Sequence, residues 1–234
     1  MYQAILFDLD DTLFSLRGCE AQALQRTLDE ARLLARLPIN FAERYAAISS
    51  AYWAARTADG YTQYTREQVI ELSWRDFLSH HGLDAALSTG LADRFWAAFC
   101  QSAVFNPGAR ETLRRLSLSY RLGIVTNGYL DSQRGRLNAA RLLPMLEVVL
   151  ISEEVGVAKP DPRVFEMALS KLGLPADALL YVGDSIAYDY QGCHAAGIDF
   201  CHYCPPPRED AESPPVKFRI SRLGELTDLL SPEA

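Results

Sequence analysis

An apolar segment near the start of the chain, followed at once by three acids, is the feature that most constrains the fold. Residues 4–7 are apolar without interruption, and Asp8, Asp10 and Asp11 come within the next four positions. An unbroken apolar run is typical of a strand buried on both faces of a parallel sheet. Ionised carboxylates cannot enter an apolar core without a cation or several hydrogen-bond donors. The acids must therefore lie at the carboxyl end of the strand, the edge of open α/β sheets where ligands bind.

After about residue 103 the sequence alternates strand and helix patterns, as a doubly wound sheet requires. Apolar runs predict four further strands and a weaker fifth, at 122–126, 148–151, 179–182, 198–202 and 217–220. Helices are predicted at 107–118, before the first of these strands, and at 162–172 and 190–196 between later ones. A further helix follows the turn 127–128 and runs to residue 141. The sequence therefore predicts an α/β core, a Rossmann-like doubly wound parallel sheet.

Between the first strand and the rest of the sheet lies a long segment with helical patterns only. Amphipathic spacing predicts helices at 19–37, 42–56, 66–81 and 84–100, with Pro38 ending the first of them. No strand pattern of comparable strength interrupts them. We therefore expect an inserted helical cap domain at residues 16–102, and a core domain made of residues 1–15 and 103–234.

Composition limits the classes of partner and the compartment. The 234 residues are 49% hydrophobic, which is ample for a packed core, and carry a formal net charge of -7. A nucleic-acid-binding surface is not expected, because it would need clustered Lys and Arg. No apolar run approaches membrane-spanning length. Five scattered cysteines and an N-terminus that begins the first strand at once lead us to expect a soluble cytoplasmic protein. The spacing of Cys201 and Cys204 is that of half a zinc site, but no matching second pair appears.

Two later strand ends carry groups that can hold a phosphoryl oxygen. Thr126 and Asn127 follow the strand 122–126, where a hydroxyl and neighbouring backbone N–H groups can bind an anion. Taken alone, Asn127-Gly128 is also an ordinary turn. Lys159 precedes Pro160 and a predicted helix, although most lysines are solvated surface residues.

The strand 179–182 repeats the pattern of the first strand, with acids directly after an apolar run. Gly183 permits close backbone approach, and Asp184 and Asp189 follow it. Acids from two strand ends can share one Mg²⁺ ion, since magnesium prefers carboxylate oxygens and keeps several waters. Asp189 could instead be an acid at a helix N-terminus, where the helix dipole favours it.

Together these motifs resemble those of the haloacid dehalogenase-like hydrolases, and of their phosphatases in particular. Residues 8–12 match the Asp-x-Asp-x-Thr signature of that family, and Thr126 occupies the position of its second motif. Lys159, in the run Lys-Pro-Asp-Pro-x-Val-Phe, and Asp184, after Gly183, resemble the third and fourth motifs. The four motifs occur in the family's order, each at a predicted strand end, and span the chain outside the helical insert.

The resemblance implies a mechanism with covalent catalysis. Asp8 would attack phosphorus to form an aspartyl-phosphate, which splits one difficult hydrolysis into two displacements. Asp10 would protonate the leaving oxygen and then take a proton from the attacking water. Thr126, Asn127 and Lys159 would bind the substrate's phosphoryl oxygens.

The resemblance also implies a magnesium cofactor. Asp8, the backbone carbonyl of Asp10 and Asp184 would hold Mg²⁺, with Asp189 supporting the metal site from outside or through Lys159. The substrate would be a small phosphate monoester, a nucleotide or a sugar phosphate. The helical cap and the residues of the four motifs are similar to those of pyrimidine nucleotidases and N-acylneuraminate-9-phosphatases. We expect a monomer or a homodimer.

Three alternatives remain open at this point. Haloacid dehalogenases lack the second acid of the first motif and need no metal, so Asp10 argues against that activity. Phosphomutases of the same family keep both acids but commonly have Gly-Val where this chain has Asp11 and Thr12. A non-catalytic phospho-ligand-binding protein would be favoured if Asp8, Asp10, Lys159 or Asp184 had been replaced, and none of them has been.

Overall fold

The computed structural model describes residues 1–56, 63–206 and 214–230, and the chain divides into two compact units. The sheet unit comprises Met1–Leu16 and Ala103–Ala234, and the helical unit comprises Arg17–Ser102. Among the described residues, no helix combines the length and the apolar character needed to cross a membrane.

In the part of the sheet unit that the structure describes, six strands form one sheet and pair in parallel throughout. Its strands are β1 (Ala4–Phe7), β2 (Arg121–Thr126), β3 (Leu146–Ile151), β4 (Leu179–Gly183), β5 (Asp199–Tyr203) and β6 (Phe218–Ile220). Their spatial order is β3-β2-β1-β4-β5-β6, so the order reverses between β1 and β4. Ligands in open α/β sheets bind at such a reversal, beyond the carboxyl ends of the strands. The predicted doubly wound parallel sheet is thus confirmed.

Both faces of the sheet are buried, which explains the unbroken apolar character of β1. All four residues of β1 are fully buried. Because side chains alternate along a strand, Ala4 and Leu6 point to one face and Ile5 and Phe7 to the other. The face of Leu6 packs against the apolar side of the helix after Lys159, where Phe165 and Ala168 lie in the same core cluster.

The helices of the sheet unit differ from the predicted ones mainly at their ends. They are α5 (Ala109–Leu116), α6 (Leu130–Ala139), α7 (Ser152–Val155), α8 (Arg163–Leu172), α9 (Gln191–Ala195) and α10 (Glu225–Leu229). The helix predicted from residue 107 begins only at Ala109, because Gly108 has a left-handed backbone with φ of 80°. The very short α7 and α10 were not predicted. A single π-helical turn, Ile186–Tyr190, precedes α9.

The described residues of the helical unit form four helices of more than two turns: α1 (Leu16–Glu30), α2 (Phe41–Arg56), α3 (Arg66–His80) and α4 (Ser88–Phe99). The helix predicted to reach residue 37 ends at Glu30, because Arg32 adopts a left-handed φ of 57° and closes the last turn. The core of this unit is an aromatic cluster formed by Tyr45, Trp74, Phe77 and Phe95.

Candidate active site

The first motif lies where β1 ends, beside the end of β4. The Asp8 N–H donates to the carbonyl of Val182 at 2.9 Å, which continues the pairing of the two strands. The chain then turns through Asp11, whose φ of 59° lies in the left-handed region that Asp tolerates. One carboxylate oxygen of Asp11 accepts the N–H of Leu16 at 3.1 Å and so supports the first turn of α1. Asp11 therefore serves the loop, and Asp8 and Asp10 remain for chemistry.

Lys159 joins the first and fourth motifs through its ammonium group. Its Nζ lies 2.5 Å from Oδ1 of Asp8, 2.6 Å from Oδ1 of Asp189 and 3.0 Å from the hydroxyl of Tyr181. An ammonium has three hydrogens, so these three acceptors use every donor it has. Lys159, Asp8 and Asp189 are all buried, with at most 6% of each residue exposed. The predicted Lys159 thus lies next to the predicted nucleophile.

Burial and neighbouring charges act in opposite directions on this pair. Burial raises the pKa of Asp8 well above its ordinary value; Lys159 counteracts this, but Asp189 and Asp184 add to it. Burial alone would lower the pKa of Lys159, yet the carboxylates of Asp8 and Asp189 raise it above its ordinary value. The two carboxylates therefore favour the protonated, cationic form of Lys159. The single positive charge of Lys159 does not fully offset the burial of Asp8 and the repulsion from its acidic neighbours.

Asp189 is held by contacts from three directions. Besides Lys159, the N–H of Ser185 donates to its Oδ2 at 3.0 Å, and the Tyr181 hydroxyl lies 3.2 Å from its Oδ1. The carboxylate packs so closely on Gly183 that a Cβ there would overlap it. The Tyr181 hydroxyl in turn donates to the carbonyl of Val125 at 2.8 Å. The glycine of the fourth motif is thus required by the position of its second acid.

The second motif is oriented by α6 and by the loop that carries Lys159. Thr126 is buried, and its hydroxyl accepts a hydrogen bond from Nε2 of Gln133 at 3.0 Å. Asn127 uses both ends of its side-chain amide on the main chain of Lys159, at 2.8 and 2.9 Å. The Asn127 side chain therefore holds the main chain of Lys159 in place, and its own main-chain N–H is the group left for the predicted phosphoryl binding.

The carboxylate of Asp10 faces α6 and is held there by two buried side chains. Arg136 donates to both of its oxygens, at 2.6 and 2.8 Å, and Nε2 of Gln133 donates to Oδ2 at 3.0 Å. Arg136 also donates to Oε1 of Gln133. The Arg136 side chain is 1% exposed and that of Asp10 is 23% exposed. The general acid expected from the first motif thus forms a bidentate ion pair.

Three carboxylates converge at the switch between β1 and β4. Asp8, Asp184 and Asp189 each offer an oxygen, and these oxygens lie within 4.8 Å of one another. Lys159 pairs with two of the acids, so the cluster carries more negative than positive charge. A hard divalent cation with oxygen ligands fits this excess charge, and Asp184 is only partly buried, which leaves room for water ligands. The residues present therefore fit Mg²⁺.

Three residues of this site were not assigned a role from the sequence: Gln133, Arg136 and Tyr181. Arg136 and Gln133 lie one turn apart on α6, where charged and polar residues are normally assigned to the solvent face. The signal that could have revealed them is weak. The buried face of α6 consists of Ser132, Gln133, Arg136 and Leu137, so only one of its four residues is a large apolar one.

Comparison with known proteins places these features in a family. Residues 2–197 match the model of the haloacid dehalogenase-like hydrolases. This range includes all four motifs, and it confirms the resemblance proposed from the sequence.

Similar proteins align over nearly the whole chain. The HAD-hydrolase YfnB of Bacillus subtilis is 27% identical, over 99% of this chain and 97% of its own. Ribulose-1,5-bisphosphate 5-phosphatase of Halopiger xanaduensis is 28% identical, over 99% of this chain and 100% of its own. Pyrimidine 5'-nucleotidase YjjG of Escherichia coli is 29% identical, over 97% of this chain and 96% of its own.

Solved structures give the same result. The crystal structure of YfnB bound to magnesium superimposes with a TM-score of 0.81 at 26% identity and covers 99% of both chains. Dehalogenases are also among the similar structures. One of them, with a TM-score of 0.71 and 23% identity over 99% of this chain and 98% of its own, shares the fold.

Proposed function

We propose that this chain, which belongs to the haloacid dehalogenase-like hydrolase family, is a Mg²⁺-dependent phosphatase that acts on small phosphate monoesters through an aspartyl-phosphate. The observation that carries this proposal is the contact of Lys159 with Asp8, inside a cluster of three acids. A carboxylate can approach an anionic phosphoryl group only where fixed positive charge offsets the repulsion.

In the first step, an oxygen of Asp8 forms a bond to phosphorus and the bond to the leaving oxygen breaks. Asp10 gives its proton to that oxygen as it departs. In the second step, Asp10 takes a proton from water, the water oxygen attacks phosphorus, and the bond to Asp8 breaks. Inorganic phosphate leaves and both acids return to their initial states. Oδ1 of Asp10 has a second lone pair besides the one that accepts from Arg136, and that lone pair would carry the proton.

The phosphoryl group would be bound by Lys159, the Thr126 hydroxyl and the main-chain N–H of Asn127. Lys159 can turn a hydrogen from the neutral Tyr181 hydroxyl to a phosphoryl oxygen while it keeps its two carboxylates. Thr126 is fixed by Gln133. These groups sit on two strand ends and one loop, so a bound phosphoryl group is oriented before reaction.

Asp8 and Asp184, with the main-chain carbonyl of Asp10, would hold Mg²⁺. When bound, the ion would neutralise phosphoryl oxygens and lower the repulsion between substrate and acids. Asp189 is buried and contacts Lys159 and Ser185. It would therefore hold Lys159 in place and add negative charge next to the metal ligands Asp8 and Asp184. This assignment differs from a direct ligand role for Asp189.

The helical unit is proposed to be the cap that selects the substrate. Nucleotides and sugar phosphates are the substrate classes we propose, because relatives of similar length include a pyrimidine 5'-nucleotidase and a ribulose-1,5-bisphosphate 5-phosphatase. A dehalogenase activity is disfavoured, since that reaction does not use the second acid, and here Asp10 is held by two buried side chains.

The test is phosphate release from a panel of nucleoside monophosphates and sugar phosphates, with Mg²⁺ or with EDTA. We expect Mg²⁺-dependent turnover of at least one compound by the wild-type enzyme and its loss in Asp8→Asn. Asp29→Asn, the same change at an exposed position of α1, is the matched control and should retain full turnover. Turnover that persists in EDTA, or in Asp8→Asn, would contradict the proposal. Conversion of a sugar phosphate to its isomer without phosphate release would indicate a mutase.

A further inference from the structure

We propose that Arg136 and Gln133 are positioning residues that set the orientation of the Asp10 carboxylate and couple it to the Thr126 hydroxyl. This inference rests on the proposed phosphatase function, and it concerns which residues of this chain prepare the proton-transfer group.

The first observation is the geometry of the ion pair. A guanidinium and a carboxylate joined by two hydrogen bonds lie in one plane. The two nitrogen–oxygen distances between Arg136 and Asp10 are 2.6 and 2.8 Å. Its cation is 1% exposed and lies 5.9 Å from the ring centre of Phe14. A buried guanidinium requires compensation for its lost hydration. Asp10 supplies that compensation, and its carboxylate plane is therefore determined by Arg136.

The second observation is that Gln133 connects Asp10 to the phosphoryl-binding motif. Its Nε2 lies 3.0 Å from Asp10 Oδ2 and also 3.0 Å from Thr126 Oγ1. The amide has one orientation here, because its Oε1 accepts from Arg136 and so Nε2 faces Asp10, Thr126 and also the carbonyl of Asn127, which lies 3.0 Å from it. A Cβ at Gly128 would overlap the Gln133 side chain, so the glycine after Asn127 makes room for it.

The third observation is that both residues stand on one helix. Positions three apart on a helix share a face, so α6 presents Gln133 and Arg136 to the strand ends together. Neither belongs to the acid cluster of Asp8, Asp184 and Asp189. Their contacts reach Asp10 and Thr126 instead. A rigid helix therefore sets the distance between the group that moves the proton and a group that binds the phosphoryl oxygens.

This role predicts a specific dependence on the leaving group. Protonation of the leaving oxygen matters for phenol, a poor leaving group, and much less for p-nitrophenol. Phenyl phosphate and p-nitrophenyl phosphate have nearly the same shape, so binding contributes little to the comparison. If Asp10 is displaced, kcat/KM for phenyl phosphate should fall more than kcat/KM for p-nitrophenyl phosphate. A general acid contributes about 10²–10⁴-fold, so its displacement should cost phenyl phosphate about 10- to 100-fold.

The experiment compares the wild-type enzyme with Arg136→Lys and Gln133→Met on both esters, with saturating Mg²⁺. Arg136→Lys keeps the charge and loses the planar two-bond geometry. We expect both variants to lose at least about tenfold more on phenyl phosphate than on p-nitrophenyl phosphate. The rise in melting temperature caused by Mg²⁺ should stay as in the wild type, because both changes remove contacts of the Asp10 side chain and leave Asp8, Asp184 and the main-chain carbonyl of Asp10 in place. An equal loss on both esters would overturn the proposal and indicate a structural role only.

A double-mutant cycle provides the second test and does not depend on one variant folding well. In Asp10→Asn, no proton remains to be positioned, so adding Arg136→Lys should change kcat/KM for phenyl phosphate less than twofold. A full, additive loss in that background would contradict the positioning role. If the wild-type enzyme turned over neither ester and no compound of the nucleotide and sugar phosphate panel, the phosphatase function itself would be contradicted, and the positioning role would fall with it.

Discussion

Lys159 Nζ lies 2.5 Å from Oδ1 of Asp8, and both side chains are buried at the point where the strand order reverses. The two residues are 151 positions apart in the chain, so only the fold brings them together. The same ammonium also contacts Asp189. One cation thus holds two buried acids, and this arrangement has consequences for stability, for metal binding and for reactivity.

Removal of the Lys159 charge should destabilise the fold strongly. Lys159→Met leaves Asp8 and Asp189 buried without their cation, a change that typically costs about 3–5 kcal/mol. We expect the free energy of unfolding, measured by urea denaturation in EDTA, to fall by that amount. Arg163→Met, which breaks an ion pair on the surface nearby, is the matched control and should have no measurable effect. A similar small effect of both variants would show that the buried pair does not stabilise the fold.

Binding of Mg²⁺ should strengthen as the pH rises. The pKa of Asp8 is raised, mainly by burial and further by Asp189 and Asp184, so Asp8 stays protonated to a higher pH than an ordinary carboxyl. Protons and Mg²⁺ therefore compete for it, and metal affinity is lost as the pH falls through this raised pKa. The Mg²⁺-induced increase in melting temperature should be larger at about pH 8 than at about pH 5.5. In Asp8→Asn the increase should be smaller and nearly independent of pH. A wild-type increase that does not change with pH would contradict the assignment.

A methyl group at Gly183 should disrupt the acid cluster. In Gly183→Ala, the new Cβ would overlap the carboxylate of Asp189, which is held on its other sides by Lys159 and Ser185. We expect this variant to lose the stabilisation by Mg²⁺ and to unfold at a lower temperature. Gly90→Ala is the matched control, because that glycine lies in α4 with open space around it. Alanine there should stabilise the helix by about 0.5–1 kcal/mol. Equal behaviour of the two variants would be incompatible with close packing at Gly183.

The fold was predictable from the sequence because strand and helix patterns depend on local chemistry, and the four motifs were identified by their resemblance to those of a known family. An unbroken apolar run such as 4–7 must be buried on both faces, and the acids after it must lie at a strand end. The end of α1 could not be predicted, because the residue with the left-handed backbone is Arg32. A Gly or Asn at that position would have indicated the helix end in the sequence. The predicted continuation to residue 37 was wrong for this reason.

The contacts within the site depend on tertiary structure and were not predictable. Arg136 and Tyr181 are polar residues whose partners, Asp10 and Lys159, lie far away in sequence. No period or spacing signals that a helix will place an arginine in a buried site. The contacts of the Asn127 side chain were not predicted for the same reason, because that side chain meets the main chain of Lys159 only in the folded protein.

The most direct test of the mechanism is detection of a phosphoryl group on Asp8. The wild-type enzyme would be mixed with p-nitrophenyl phosphate and Mg²⁺, quenched in acid within the first turnover, and digested for mass spectrometry. Asp10→Asn should be measured in parallel, since slower hydrolysis of the intermediate should increase its amount. The account predicts one added phosphoryl group on the peptide that contains Asp8, and none in Asp8→Asn. Phosphate release without any phosphorylated form of that peptide, in the wild type and in Asp10→Asn alike, would contradict it.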